Sequence, residues 1–300
     1  MKRFINSIII FCIPAFLVMM TIEICARMLP NAYKSKYEWM QNNADKVETL
    51  ILGSSHTFYG IQPKYLEGNA YNLANPSQIL EQDLFLLKYW SDRYIKLRRV
   101  IMPISYFTLF AKDLEPYRRK YYNIYMDCNL YPSFSFSNNF EISESKICIF
   151  KLQKLFGGIN EVDWFCDEYG NEAFNSISNR DVGWSYHDAA LTTFSNWDNF
   201  EHNYRIMEEI ICFCKERKIQ LVLITTPCWH TYYDSLEKKQ LEKMNSTINE
   251  LQRKYHLPYL NYLKDKRFDD KDFYDSSHLS EFGEVKFTKI LNNDLKSLKR

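Results

Sequence analysis

Short apolar runs bounded by Gly, Pro or Asn alternate along this chain with stretches whose apolar residues recur every three or four positions. The first pattern marks buried strands and the second amphipathic helices. Val47 to Leu52 (VETLIL) reads as a strand closed by Gly53, and Ala70 to Ala74 (AYNLA) as a second, short one. Ser77 then stands where a helix cap belongs, and Ile79, Leu80, Leu84, Leu87 and Trp90 carry that helix to about Leu97. Val100 to Ile104 is a third strand, with Pro103 near its end. A helix from about Phe200 to Arg217 leads into Ile219 to Thr225 (IQLVLIT), the clearest strand of all. A helix over roughly Ser235 to Tyr255, a strand at Pro258 to Leu263 and a last helix from near Ser280 to about Leu295 complete the series.

Strands alternating with helices predict a parallel sheet covered on both faces, a three-layer α/β/α flavodoxin-like sandwich. In such sheets ligands bind beyond the carboxyl ends of the strands. Residues Lys112 to Asn199 break the rhythm; rich in Tyr, Phe, Asn and Ser, they read as an insertion packed over the strand ends. It either shapes a substrate cleft or elaborates the periphery.

The amino-terminal end obeys a different pattern. Lys2 and Arg3 precede an apolar run from Ile8 to Met20, broken only by Pro14. With Phe4 to Ser7 and Thr21 to Cys25 it reaches the ~20 residues of a membrane span. A cleavable signal peptide shares these features, but no small-x-small site follows, and Ile24-Cys25-Ala26 fits poorly. An uncleaved anchor over residues 1–28 is therefore expected, then a polar stalk over 29–46 and the α/β domain over 47–300. Lys2 and Arg3 favour a cytoplasmic amino terminus, against the opposing charges of Arg27, Lys34 and Lys36. That orientation turns the domain to the periplasm or cell exterior.

Composition changes this picture little. With 38 basic and 37 acidic residues the formal net charge is +1, which gives no reason to expect nucleic acid as a partner, since phosphate binding needs a concentrated basic surface. Aromatic residues reach 16%, read as compositional bias ahead of a sugar-stacking surface. The 8 cysteines lack zinc-type spacing and read as small buried apolar residues, a single bridge remaining open. The scattered histidines show no H-x-x-x-H spacing, so no metal is expected.

Two motifs carry candidate chemistry. Leu52-Gly53-Ser54-Ser55-His56 follows the first strand, where a sharp turn exposes a serine hydroxyl and orients backbone N–H groups toward an oxyanion. Alone it is as readily a turn or a cap. Asp275-Ser276-Ser277-His278-Leu279 precedes the last helix; a carboxylate three residues before an imidazole can orient it to take a serine's proton. Both motifs flank strands of one sheet, at its active edge. Other candidates are weaker. His230, after Pro227-Cys228-Trp229, sits at the same edge; His56 either lines the cleft or starts a helix; His187 and Asp188 read as solvated loop. The run Tyr117-Arg118-Arg119-Lys120-Tyr121-Tyr122 reads as a solvated loop, with glycan contact as the alternative.

Together these blocks resemble the SGNH (GDSL-like) hydrolase superfamily. Its Gly-Asp-Ser block is matched by Gly53-Ser54-Ser55, and its Asp-x-x-His block by Asp275-Ser276-Ser277-His278. The resemblance implies Ser55 as nucleophile, His278 as general base and Asp275 as its orienter, with no cofactor. Ser54 in place of Asp is similar to cell-envelope acyl-transfer members, including alginate acetylation and lipoteichoic-acid alanylation types. The family's second block offers a backbone N–H, a place held here by Asn75. Its Gly-x-Asn-Asp third block is replaced by Pro103-Ile104-Ser105-Tyr106-Phe107, leaving Ser105 or Tyr106 to supply the oxyanion donor.

The function this implies is O-acyl transfer, most simply acetylation, onto an exported polysaccharide at the bacterial cytoplasmic membrane. A multi-spanning membrane acyltransferase would supply the acyl group. An esterase with the same triad is the nearest alternative. A non-catalytic binding or assembly protein of the same fold is the other, favoured by the altered third block.

Overall fold

A computed structural model of the chain describes residues 2–114, 116–132, 134–144, 148–149, 152–153, 157, 166–171, 175–186 and 197–298. In chain order its first elements are α1 (Lys2–Met28), α2 (Ala32–Asn43), β1 (Thr49–Ile51), α3 (Ser55–Phe58), β2 (Ala70–Asn72), α4 (Leu80–Tyr89) and β3 (Arg99–Pro103). Then follow α5 (Pro116–Tyr125), α6 (Phe136–Asn139), α7 (Phe200–Glu216), β4 (Gln220–Thr225), α8 (His230–Asp234), α9 (Lys238–Tyr255), β5 (Tyr259–Asn261) and α10 (Glu281–Ser297). Two compact units divide the chain: Met1–Tyr37 with Glu115–Phe165, and Glu38–Leu114 with Cys166–Arg300.

The larger unit holds a five-stranded, all-parallel sheet of order β2-β1-β3-β4-β5. The chain steps outward once, from β1 to β2, and then the other way from β2 through β3 and β4 to β5. Right-handed crossovers therefore put α4, α7 and α9 on one face and α3 on the other, where α10 also packs. Polar side chains bridge the first row of helices: Glu81 to His202 and Lys88 to Glu209 between α4 and α7, and Glu208 to Lys254 between α7 and α9. On the opposite face Phe287, Leu291 and Leu295 of α10 bury themselves against Ile51, Ile101, Val222 and Ile224. Strand side chains alternate in direction, so Leu50, Val100, Met102, Leu221 and Leu223, all buried, face the other layer. With both faces covered, the central strands β1, β3 and β4 are largely buried and apolar, which is why they stand out in the sequence.

One local expectation fails for an identifiable reason, and the segment before β1 is more ordered than its polarity suggests. Ser77 is not a helix cap: its φ of +61° places it in a left-handed turn, and α4 begins at Leu80 after Ile79. Residues 75–78 are bent instead to bring Asn75 and Gln78 under the β1 turn. Within the segment 29–46, where a polar stalk is expected, Ala32–Asn43 is helical. Met40 is fully buried, and Trp39 stacks on Tyr71 of β2 at 3.6 Å between ring centroids, outweighing the polar residues around them.

In the smaller unit, α1 carries one apolar window, Ile10–Met28, long and apolar enough to cross a membrane and only 11% buried. At 1.5 Å per residue it spans about 28 Å, close to the ~30 Å of a bilayer's hydrocarbon. The basic and aromatic run at 117–122 is no solvated loop. It lies on α5, where Lys120, Tyr121 and Tyr122 are buried, and Lys120 Nζ lies 3.1 Å from the equally buried Glu141 carboxylate. The inserted segment is thus split: residues 115–165 belong with α1, and 166–199 with the sheet. His187 and Asp188 lie outside the described residues. Cys128, Cys148, Cys166, Cys214 and Cys228 are buried, and Cys12 and Cys212 are exposed.

Candidate active site

At the carboxyl end of β1 the chain reverses at Gly53, whose φ of +108° suits glycine alone. Its N–H donates to Asp83 Oδ1 at 2.8 Å, a carboxylate also held by Gln78 Nε2 at 2.6 Å. From the far side Thr57 Oγ1 donates to Leu52 O at 2.8 Å, closing the turn. Ser54 then takes an extended conformation and Ser55 opens α3. As the first residues of a helix, Ser55 and His56 have N–H groups without an intrahelical acceptor, and none is found among the described residues.

Beyond β5 the chain forms a tight hairpin. Phe273 and Leu279 pair antiparallel, and the Tyr274 N–H donates to His278 O at 2.9 Å. Asp275 organises this tip with its own side chain: Oδ1 accepts the N–H of Ser277 and of His278, each at 2.8 Å. That leaves Oδ2 for His278 Nδ1 at 2.8 Å, while His278 Nε2 lies 2.8 Å from Ser55 Oγ. Ser55, His278 and Asp275 thus form one unbroken hydrogen-bonded chain. The neighbouring loops hold the hairpin in place. Trp229 N–H donates to Ser276 O at 2.9 Å, and Arg180, stacked on Trp184, donates to Phe273 O at 2.9 Å.

The electrostatics suit a proton relay. Burial alone would raise the Asp275 carboxyl, but the His278 charge and the converging hydrogen bonds hold it well below the ordinary carboxylate range. Burial likewise lowers His278, and the Asp275 carboxylate more than reverses this, leaving the imidazole above its usual 6.5. His56 behaves oppositely: burial, then repulsion from His278, pushes it down to about 3, so it is neutral. A chain of this kind lets a serine hydroxyl pass its proton to the imidazole while the carboxylate steadies the resulting cation.

No protein-family model and no curated protein sequence matches the chain. Solved structures do resemble it. A GDSL-like lipase from Bacteroides thetaiotaomicron is 10% identical with a TM-score of 0.43, over 88% of this chain and 99% of its own. A psychrotrophic esterase from Pseudoalteromonas sp., captured with monoethylphosphonate, is 10% identical with a TM-score of 0.41, over 83% of this chain and 96% of its own. An aryl esterase from M. smegmatis is 9% identical with a TM-score of 0.36, over 84% of this chain and 100% of its own. At this level of similarity, activity has to be argued from the site itself.

The other predicted site residues do not converge on Ser55. Asn75 is fully buried: its N–H donates to Gly53 O at 3.1 Å, and its amide to Gln78 Oε1 at 3.0 Å and Leu73 O at 3.3 Å. Every hydrogen it offers is spent on the turn beneath Gly53, so it is no free oxyanion donor here. Tyr106 is likewise structural, its hydroxyl accepting the Glu237 N–H at 3.0 Å beside the start of α9. His230 is exposed on α8 and pairs with Asp234 at 3.8 Å. Ser105, from the end of β3, turns its hydroxyl to His56 Nδ1 at 2.9 Å, with Thr226 Oγ1 from the end of β4 3.5 Å away. His56 in turn meets the His278 ring edge-on, 5.4 Å between centroids, and Tyr59 flanks His278 at 5.7 Å. The buried His56–Ser105 pair is the part of the site that sequence reading misses. Adjacency to Ser55 marked His56, but no pattern links it to residue 105. Among the described residues no three His, Cys, Asp or Glu side chains gather to hold a metal ion.

Proposed function

We propose that this chain is a membrane-anchored SGNH-type enzyme that moves an acyl group, most simply acetyl, onto an exported cell-envelope polysaccharide. One observation carries the catalytic part: the Ser55–His278–Asp275 chain, with 2.8 Å at each link, at the carboxyl edge of a parallel sheet. Ser55 Oγ attacks the acyl carbonyl and gives its proton to His278 Nε2, while Asp275 stabilises the imidazolium. The Ser55 N–H stands ready for the tetrahedral oxyanion. Collapse expels the donor's leaving group, which takes the proton from His278. A sugar hydroxyl then gives its proton to His278 and attacks the acyl-serine; as the bond to Ser55 Oγ breaks, His278 returns that proton to Oγ, releasing the O-acyl sugar and free Ser55.

Transfer is preferred to hydrolysis for two reasons: the apolar α1 fits a protein held at a membrane, and Ser54 stands where envelope acyl-transfer members also depart from Gly-Asp-Ser. Lys2 and Arg3 favour a cytoplasmic amino terminus, and so a domain facing the exterior, against Arg27, Lys34 and Lys36 on the other side of the helix. The acyl donor in this reading is a membrane-bound acyltransferase. An esterase uses the same steps with water in place of the sugar.

The test is intact-protein mass spectrometry of the full chain after exposure to p-nitrophenyl acetate, beside Ser55→Ala. An acetyl adduct on Ser55, absent from the variant, is the expected result. Oligosaccharide acceptors should then discharge it faster than water and gain the acetyl group. Discharge to acetate alone selects the esterase. A folded protein that labels neither with this ester nor with a fluorophosphonate would sink both enzymatic readings.

A further inference from the structure

The apolar surface of the smaller unit continues beyond α1. Along α1, Phe16, Leu17, Val18, Met19, Ile24 and Met28 are all exposed. So are residues of the inserted segment: Phe134 is 92% exposed, Phe136 55% and Leu130 41%. Phe136 stacks on Phe140, 4.9 Å between centroids, and the Arg27 guanidinium sits over Phe140 at 5.9 Å. Hydrogen bonds fasten this place to the helix. Arg27 Nη2 donates to Asn139 O at 2.7 Å, and the Glu23 carboxylate accepts the N–H of Glu141 at 3.1 Å and of Ile142 at 3.0 Å. The Phe136–Phe140 stack is thereby held level with Glu23 and Arg27, at the end of the apolar window.

That level is where a spanning α1 leaves the hydrocarbon, because an ion pair with a partly exposed arginine belongs at the membrane surface. Segments that lie in the membrane interface bury Phe, Leu and Trp at the headgroup–acyl boundary and keep their polar residues toward water. The stretch Phe134-Ser135-Phe136-Ser137 alternates in this way, and its single-turn helix α6 leaves backbone groups that the interface, unlike the core, can satisfy. We propose that Leu130, Phe134, Phe136 and Phe140 form an apron that lies in the phospholipid interface beside α1. The proposal rests on α1 spanning the membrane. The apron gives the smaller unit a second foothold, so that it cannot swivel about the single helix.

The test is photo-crosslinking of the full chain in phosphatidylcholine–phosphatidylglycerol nanodiscs, with p-benzoylphenylalanine placed singly at Phe134, Phe136, Phe16 or Val182. Lipid adducts at Phe134, Phe136 and Phe16, at least tenfold above Val182, are expected. Adducts at Phe16 alone overturn the apron and leave the span standing. Adducts at none of the four overturn both. Crosslinks from Phe134 to a second copy of the chain, or lipid adducts at Val182 equal to those at Phe136, also overturn it.

Discussion

The ring of Pro103, at the end of β3, fills the space that a side chain at Gly53 would need: a Cβ there would lie 2.0 Å from Pro103 Cγ and 2.4 Å from its Cδ. The glycine's φ of +108° adds backbone strain of roughly 1–3 kcal/mol for any other residue. Gly53→Ala should therefore lower the melting temperature of the full chain and abolish Ser55 labelling. Gly53→Ala with Pro103→Ala should recover part of the stability, since it removes the clash and leaves the strain. Calorimetry of the three proteins decides it; a Gly53→Ala protein as stable and as reactive as the parent would refute the packing argument.

The site's pH dependence follows from His278. The general base must be neutral, and its affinity for a proton is raised above the usual 6.5, so acylation should rise with pH through a midpoint above 6.5. Asp275 is ionised throughout this range, and His56, at about 3, contributes no limb there. Removing the carboxylate charge with Asp275→Asn leaves burial acting alone on His278. The midpoint should then move toward acid, while the rate falls by up to about 10⁴-fold as the tautomer is lost. Stopped-flow acylation by p-nitrophenyl acetate between pH 5 and 9 reads both effects. An unmoved midpoint would show that His278 does not titrate in catalysis.

The contrast between what could and could not be read from sequence has a physical origin. The central strands were legible because a doubly covered sheet makes them largely apolar; four of the five strands lie within their predicted segments, and β3 starts one residue early, at Arg99. The Asp275–His278 contact was legible because both partners sit in one turn that Asp275 itself organises. Roles that depend on distant partners were not. Ser77 resembles a cap and is a left-handed turn; Asn75 resembles a donor and is spent on Gly53; Ser105 is turned toward His56, 49 positions away. Lys120 resembles surface charge, yet it is buried against Glu141.

Asp83 offers a measurable stability signature. Burial, only partly offset by the hydrogen bonds from Gln78 and Gly53, raises its carboxyl from 3.8 to about 7. The folded chain therefore keeps a proton there that the unfolded chain has lost. The corresponding stability is fully present below about pH 4, declines as pH rises and is gone above about pH 7, with a slope of at most about 1.4 kcal/mol per pH unit. Asp83→Asn keeps an acceptor for Gly53 and removes the titration. The stability difference between parent and variant, from urea unfolding, should swing in the variant's favour by pH 8 relative to pH 4. A difference independent of pH would show that Asp83 is not the buried acid described here.

Glu23 separates a retained helix from a cleaved signal. Its carboxylate is the acceptor for the backbone N–H of both Glu141 and Ile142 and the partner of Arg27. Loss of residues 1–28 would leave those N–H groups without their acceptor. The mature protein should therefore retain α1, and its intact mass should include residues 1–28. Hydrogen bonds to a charged group contribute about 1.5–3 kcal/mol, so Glu23→Ala should speed amide exchange at Glu141 and Ile142 by roughly 10- to 100-fold. Exchange at the β3 and β4 amides, in the other unit, should stay unchanged. An intact mass lacking the first residues, or exchange at 141–142 indifferent to Glu23→Ala, would mean that α1 is dispensable to the folded protein.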